Sequence, residues 1–201
     1  ILGFGNPISV ISLRDFFSNT IKSKSDLTDS TNIPMLGIIG HSDKPTNLVV
    51  LKNPKSALSE SFRAIRTNIQ YLAVEKERKV ITISSSIGAE GKTFCAINLA
   101  SVFALAGHKT MLIGADLRKP KIHEDFGVEE TIGLSTYLIN KCTVKELIQK
   151  SEVDDMDIII SGPTPPNPAE LLDNPRMGQL IKDLQKEYAY IIIDTPPIGL
   201  V

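Results

Sequence analysis

One stretch constrains this chain more than any other. Residues 80–84 form a β-branched apolar run, residues 84–93 read Ser-Ser-Ser-Ile-Gly-Ala-Glu-Gly-Lys-Thr, and a second apolar run fills residues 91–106. The spacing predicts a strand, a tight loop and a helix in direct succession. Such a loop turns consecutive backbone N–H groups and a helix N-terminus toward an anion. Lys92 can then reach the outer phosphates of a nucleotide, and the Thr93 hydroxyl can ligate Mg²⁺. Ser86, Gly88, Ala89, Glu90, Gly91, Lys92, Thr93 and Phe94 are therefore the candidate nucleotide-binding residues. The usual G-x-x-x-x-G-K-[ST] pattern has glycine where this chain has Ser86, so the reading rests on the strand before the loop and the helix after it.

The remainder repeats that alternation. Strands are expected over residues 110–113, 156–160 and 190–193, and helices over 56–72, 134–140, 143–150 and 177–187, with Ser56 as an N-cap and a Pro-rich turn after residue 160. Short apolar runs at 35–39 and 48–51 have strand character, and the polar runs 22–31 and 41–47 read as connectors or surface turns. Apolar strands alternating with amphipathic helices imply an α/β fold: a mostly parallel sheet with helices on both faces, binding its ligand beyond the carboxyl ends of the strands. With 201 residues and 42% apolar side chains, one domain can bury a substantial core. A net charge of -1 provides no global field for nucleic acid, and two cysteines without metal-ligand spacing favour a reducing, cytoplasmic setting.

Two acids fall at predicted strand ends. Asp194 follows Tyr190-Ile191-Ile192-Ile193, and Asp116 follows a strand expected to lie next to the phosphate loop. With Thr93 they are the candidate Mg²⁺ ligands, and Lys92, Asp116 and Asp194 the candidate catalytic residues.

Together these motifs resemble the bacterial tyrosine kinase family, whose cytoplasmic domain is a P-loop NTPase of the MinD/ParA type. The resemblance covers residues 13–201 nearly throughout. Lys92 and Thr93 match the family's S-x-x-x-P-G-E-G-K-[ST] loop, Asp116 and Arg118 its apolar-D-x-D-x-R strand end, and Asp194 the acid that ends its last motif strand. Glu60, Arg63 and Arg66 reproduce E-x-x-R-x-x-R, which by resemblance joins subunits into a ring, so that one active site receives the tyrosine tail of a neighbour. The resemblance implies an ATP-dependent tyrosine autokinase, using ATP/ADP and Mg²⁺, at the cytoplasmic face of the bacterial inner membrane. Its implied partners are a cognate tyrosine phosphatase and polysaccharide export machinery.

By the same likeness, Ile33-Pro34-Met35-Leu36-Gly37 matches the family's apolar-Pro-x-Leu-Gly segment. Residues 1–13 then read as the end of a transmembrane helix, 14–47 as a juxtamembrane connector and 48–201 as a kinase domain cut short at its C-terminus. Three departures stand out. Gly88-Ala89 replaces Pro-Gly, Gly114 replaces the first Asp of the D-x-D pair, and no tyrosine cluster is present, the four tyrosines being Tyr71, Tyr137, Tyr188 and Tyr190. These departures keep two alternatives open: an assembly ATPase of the MinD/ParA type, and a catalytically weak oligomerisation module.

Overall fold

A computed structural model describes residues 24–72 and 79–200. The chain forms two compact units divided at Gly37. In the first, α1 (Lys24–Ser30) occupies part of a run read as a connector, with the Ser30 hydroxyl donating to the carbonyl of Asp26. None of its residues is buried, so its order comes from local bonds. The expectation of a membrane-helix end over residues 1–13 lies outside the described residues. Among those described, no helix is long and apolar enough to cross a membrane.

The second unit holds the sheet. Its helices are α2 (Val49–Lys52), α3 (Ala57–Leu72), α4 (Lys92–Ala104), α5 (Ile122–Phe126), α6 (Leu134–Leu138), α7 (Val144–Leu147), α8 (Pro168–Leu172) and α9 (Pro175–Leu184). Its strands are β1 (Lys79–Ile83), β2 (Thr110–Gly114), β3 (Gln149–Lys150), β4 (Met156–Ile159) and β5 (Tyr190–Asp194), in the spatial order β1-β5-β2-β4-β3. All pairings are parallel except the short antiparallel edge β3–β4. Because side chains alternate along a strand, Leu112, Ile158 and Ile192 enter one apolar layer with α3 and α4. Met111, Ile113, Ile159, Ile191 and Ile193 enter the opposite layer with α6, α8 and α9. The sheet is thus covered on both faces, as the alternating pattern predicts.

Three expectations are corrected. Residues 48–51 do not form a strand: Val49–Lys52 is one helical turn, and residues 35–39 are irregular backbone. Four apolar residues carry no period that separates strand from helix, and the helical turn buries Leu48, Val49 and Val50 together. The Pro-rich segment also contains α8, whose first residue is Pro168, where proline's missing N–H costs nothing. Finally, the helix expected over residues 143–150 spans only Val144–Leu147, and Gln149–Lys150 is the edge strand β3; the strand order, with β5 between β1 and β2, is a long-range pairing that no local pattern encodes.

Ser56 caps α3 as expected, its hydroxyl accepting the Ser59 N–H at 3.2 Å. One residue ties α2 to α4. Asn98, 0% exposed, accepts the Val50 N–H at 2.9 Å and donates to the carbonyls of Asn47 at 2.6 Å and Phe94 at 2.8 Å. Asn98→Ala should lower stability by about 3 kcal/mol in urea unfolding, because it orphans a buried N–H and a carbonyl. Asn98→Leu, which restores volume without the bonds, should be no better if those bonds are the cause.

Candidate nucleotide site

The carboxyl ends of β1, β5 and β2 meet in register, with Asp194 paired to Ile83 on one side and Gly114 on the other. From this edge the loop of residues 84–91 rises into α4. Gly91 precedes α4 with φ 85°, and Ala89 also has a positive φ of 64°. The glycine missing from position 89 therefore matters first through the backbone, since left-handed geometry penalises any side chain with a Cβ. Gly88 has open space around it.

The loop is supported from within and from behind. The Glu90 carboxylate accepts the N–H groups of Ser86 at 3.0 Å and Ile87 at 3.4 Å, so Glu90 shapes the loop through its own amides. Ile198 and Gly199 donate their N–H groups to the carbonyls of Ser85 at 2.9 Å and Ser86 at 3.2 Å. Their role, and that of Asn47 as a lining residue, went unread in the sequence. The Pro196-Pro197 pair after Asp194 was the one local signal of a fixed turn there.

Thr93 and Asp194 come together as the sequence predicts. The Thr93 hydroxyl donates to Asp194 Oδ2 at 2.7 Å, while Asp194 Oδ1 is buried without a hydrogen-bond partner. Burial is the chief cause that pushes the Asp194 carboxyl up to about 6, the negative charge of Asp116 adding to it and the Thr93 hydrogen bond and Lys92 charge opposing it. Asp116 lies just past β2 and is half-buried. Its Oδ1 accepts the N–H groups of Arg118 at 3.1 Å and Lys119 at 3.0 Å, which fixes the turn that follows. Gly88, Ala89, Gly91, Lys92, Thr93, Phe94, Asp116, Arg118, Lys119, Lys121, Asn47 and Pro197 line one cavity of about 740 Å³. That volume lies in the range of small-molecule sites.

The residues fit a Mg-nucleotide. An orphaned buried carboxylate oxygen beside a threonine hydroxyl suits a hydrated divalent cation. Among the described residues no group of three or more His, Cys, Asp and Glu side chains could hold a metal alone. Mg²⁺ takes one or two carboxylates and completes its shell with phosphates and water, so the Thr93–Asp194 pair could serve it.

Position 114 is crowded. A Cβ there would meet Ser161 Oγ at 3.0 Å and Ile122 Cδ1 at 3.3 Å, and the Ser161 hydroxyl donates to the Gly114 carbonyl. The charged stripe on α3 is occupied within the chain. Arg63 bonds Glu60 and the Pro54 carbonyl, and Arg66 donates to the Val102 carbonyl at 2.9 Å in the last turn of α4. That bond satisfies a helix-end acceptor, which makes Arg66 a tie between α3 and α4.

A strand-ending carboxylate under a Gly-Lys-Thr loop and helix N-terminus defines a P-loop nucleotide-binding protein. Residues 78–200 match the family described as an AAA domain. The chain is 44% identical over 152 residues to the tyrosine-protein kinase YwqD of Bacillus subtilis, covering 76% of this chain and 64% of that protein. It superimposes on the kinase domain of the Escherichia coli tyrosine kinase ETK with a TM-score of 0.85 and 32% identity, covering 90% of this chain and 75% of that one. A more distant likeness, with a TM-score of 0.53 and 25% identity, is to the Pyrococcus horikoshii septum site-determining protein MinD complexed with Mg-ADP, over 60% of this chain and 49% of that one. The chain belongs to the bacterial tyrosine-protein kinase family, built on the P-loop fold that MinD shares.

The raised Asp194 carboxyl makes a prediction for the protein free of metal and nucleotide. Its folded-state value of about 6 exceeds the ordinary 3.8, so the folded state holds the proton more tightly than the unfolded chain. Stability therefore falls as pH rises between those two values, by about 3 kcal/mol. Asp194→Asn should abolish that component and raise stability at pH 7, measured by urea unfolding in EDTA, while impairing Mg²⁺-dependent nucleotide binding.

Proposed function

We propose that this chain is the nucleotide-binding part of an ATP-dependent protein tyrosine kinase in a capsular or exopolysaccharide system. The observation that carries the reading is the convergence of Lys92, Thr93, Asp116 and Asp194 on one edge of the sheet. In this reading Thr93, Asp116 and Asp194 hold Mg²⁺, which offsets phosphate charge when bound. The loop amides and Lys92 hold the phosphates and stabilise charge on the transferred group. A tyrosine oxygen bonds to the terminal phosphorus as the bond to the departing ADP oxygen breaks, and the phenolic proton leaves to solvent. Gly114 provides no acid to take that proton, so positioning and charge neutralisation carry the rate.

The wider setting belongs to the same proposal: a ring of subunits at the cytoplasmic face of the inner membrane, a neighbour's tyrosine tail as acceptor, and a phosphatase that reverses the mark. Arg63, half-buried on α3, is the better candidate for an intersubunit contact, because Arg66 is committed to α4. Gly114 is the specific feature favouring a second reading, in which the domain binds nucleotide to control assembly without transfer.

Calorimetry should show Lys92→Ala and Thr93→Ala weakening Mg-ADP binding by at least about tenfold. Phosphotyrosine on an added tyrosine peptide, followed by mass spectrometry with ATP and Mg²⁺, should form in wild type. It should fall about 100-fold in Asp116→Asn and Asp194→Asn. Gly114→Asp should equal or exceed wild type, best beside Ser161→Ala, which removes the 3.0 Å contact. A silent wild type rescued only by the restored acid would establish the assembly reading. Arg63→Glu should lower the mass seen by light scattering in any longer chain that oligomerises.

A further inference from the structure

The chain has four tyrosines, and the fold sets one of them apart. Tyr137, Tyr188 and Tyr190 are 5%, 2% and 4% exposed, whereas Tyr71 is 79% exposed. Each of the three buried rings is also engaged. The Tyr188 hydroxyl donates to Asp157 Oδ2 at 2.6 Å, the Tyr190 ring stacks 3.8 Å from that of Phe103, and the Arg176 guanidinium covers the Tyr137 ring at 4.4 Å. Bringing any of these hydroxyls to an outside site requires opening the core. Tyr71 needs no such opening. It stands at the next-to-last position of α3, and the final turn of a helix frays at little cost.

The packing of α3 also fixes which nucleotide site Tyr71 can meet. Helices α3 and α4 run side by side in the same direction. Phe62 meets Phe94 in the first turn of α4 with ring centroids 5.8 Å apart, and Arg66 donates to the Val102 carbonyl in the last turn. Gln70 Nε2 then meets His108 Nε2 at 3.1 Å, beyond the end of α4. Tyr71 therefore lies near the carboxyl end of α4, while Lys92 and Thr93 open its amino end. The 13 residues of α4 separate the two by about 20 Å. Held at that end by its neighbours Arg66 and Gln70, Tyr71 cannot reach the phosphates of its own chain. Its outer face is open to another copy, because Glu60, Ala64, Thr67 and Tyr71 follow one another at helical spacing and are all exposed.

We propose that Tyr71 is a phosphoryl acceptor, modified in trans by the nucleotide site of a second copy of this chain. The inference rests on the phosphotransferase reading above and adds to it an acceptor on the body of the domain. The phenolic oxygen of Tyr71 bonds to the terminal phosphorus of ATP, the bond from that phosphorus to the ADP oxygen breaks, and the phenolic proton leaves to solvent. The product places about two negative charges at the carboxyl end of α3, where the helix dipole opposes them. Modification therefore loosens the last turn of α3.

The test mixes unlabelled wild type with an isotope-labelled Lys92→Ala chain, which cannot transfer phosphate itself, and adds ATP, Mg²⁺ and a synthetic tyrosine peptide. Mass spectrometry of the digested mixture should find phosphate on Tyr71 of the labelled chain, and at least about 100-fold less on Tyr137, Tyr188 and Tyr190. Tyr71→Phe in the active chain should leave that chain unmodified yet able to phosphorylate the peptide within about twofold of wild type, since the substitution is on the surface. Phosphate on the peptide with none on Tyr71 would overturn the proposal. So would phosphate on Tyr71 confined to the unlabelled chains, which would make the transfer internal. Phosphate on neither peptide nor chain is a different result, which removes the phosphotransferase reading and the proposal with it.

Discussion

The hydroxyl of Thr93 donating to the buried carboxylate of Asp194 joins the two parts on which everything else at this site depends. Thr93 belongs to the first turn of α4 and Asp194 to the last position of β5, and the loop of residues 84–91 must close over the gap between them. With Asp194 only 3% exposed and one oxygen lacking a partner, ionisation there is unfavourable until a cation or a donor satisfies it. The fold therefore carries an electrostatic cost at this carboxylate, an arrangement common at functional sites. Cys95 feels the same surroundings. Burial, and then the field of Asp194, push its thiol upward, away from thiolate reactivity.

Around this joint the chain departs in two places from the motif it resembles, and the two have separate physical consequences. At position 89 the consequence is conformational, because a side chain with a Cβ sits at φ 64°. At position 114 it is steric and chemical. The strand end packs against Ser161 and Ile122, and glycine brings no carboxylate to it. Both departures adjoin the site, Gly114 pairing with Asp194 across β2 and β5 and Ala89 standing in the loop that leads into Lys92.

The charged stripe on α3 shows how a motif can hold two meanings at once. Glu60, Arg63 and Arg66 recur at helical spacing, which reads as a solvated face or as an interface. In the folded chain Arg66 closes off the end of α4 and Arg63 bridges Glu60 and Pro54. Phe94 links the same helix to the nucleotide cavity, its ring 5.8 Å from that of Phe62 on α3. Events on α3 and events at the loop therefore share one packed layer.

The sequence by itself determined the elements whose cause is local. Strand, loop and helix around Lys92 follow from a β-branched run, a Gly-containing turn and an apolar helix. The Ser56 cap follows from its hydroxyl, and the two-faced sheet from alternating apolar runs. Lys92, Thr93, Asp116 and Asp194 were legible for the same reason, each standing at the end or start of such an element. Tertiary structure decided what depends on pairing between distant segments. It inserted β5 between β1 and β2, because strand order is set by how whole layers pack and not by any window of sequence. It turned residues 49–52 into a helical turn clamped by Asn98, and it brought Ile198 and Gly199 beneath the loop. The same long-range packing buried Asp194 and raised its carboxyl. A side chain's solvation is a property of everything around it, and the folded chain alone supplies those surroundings.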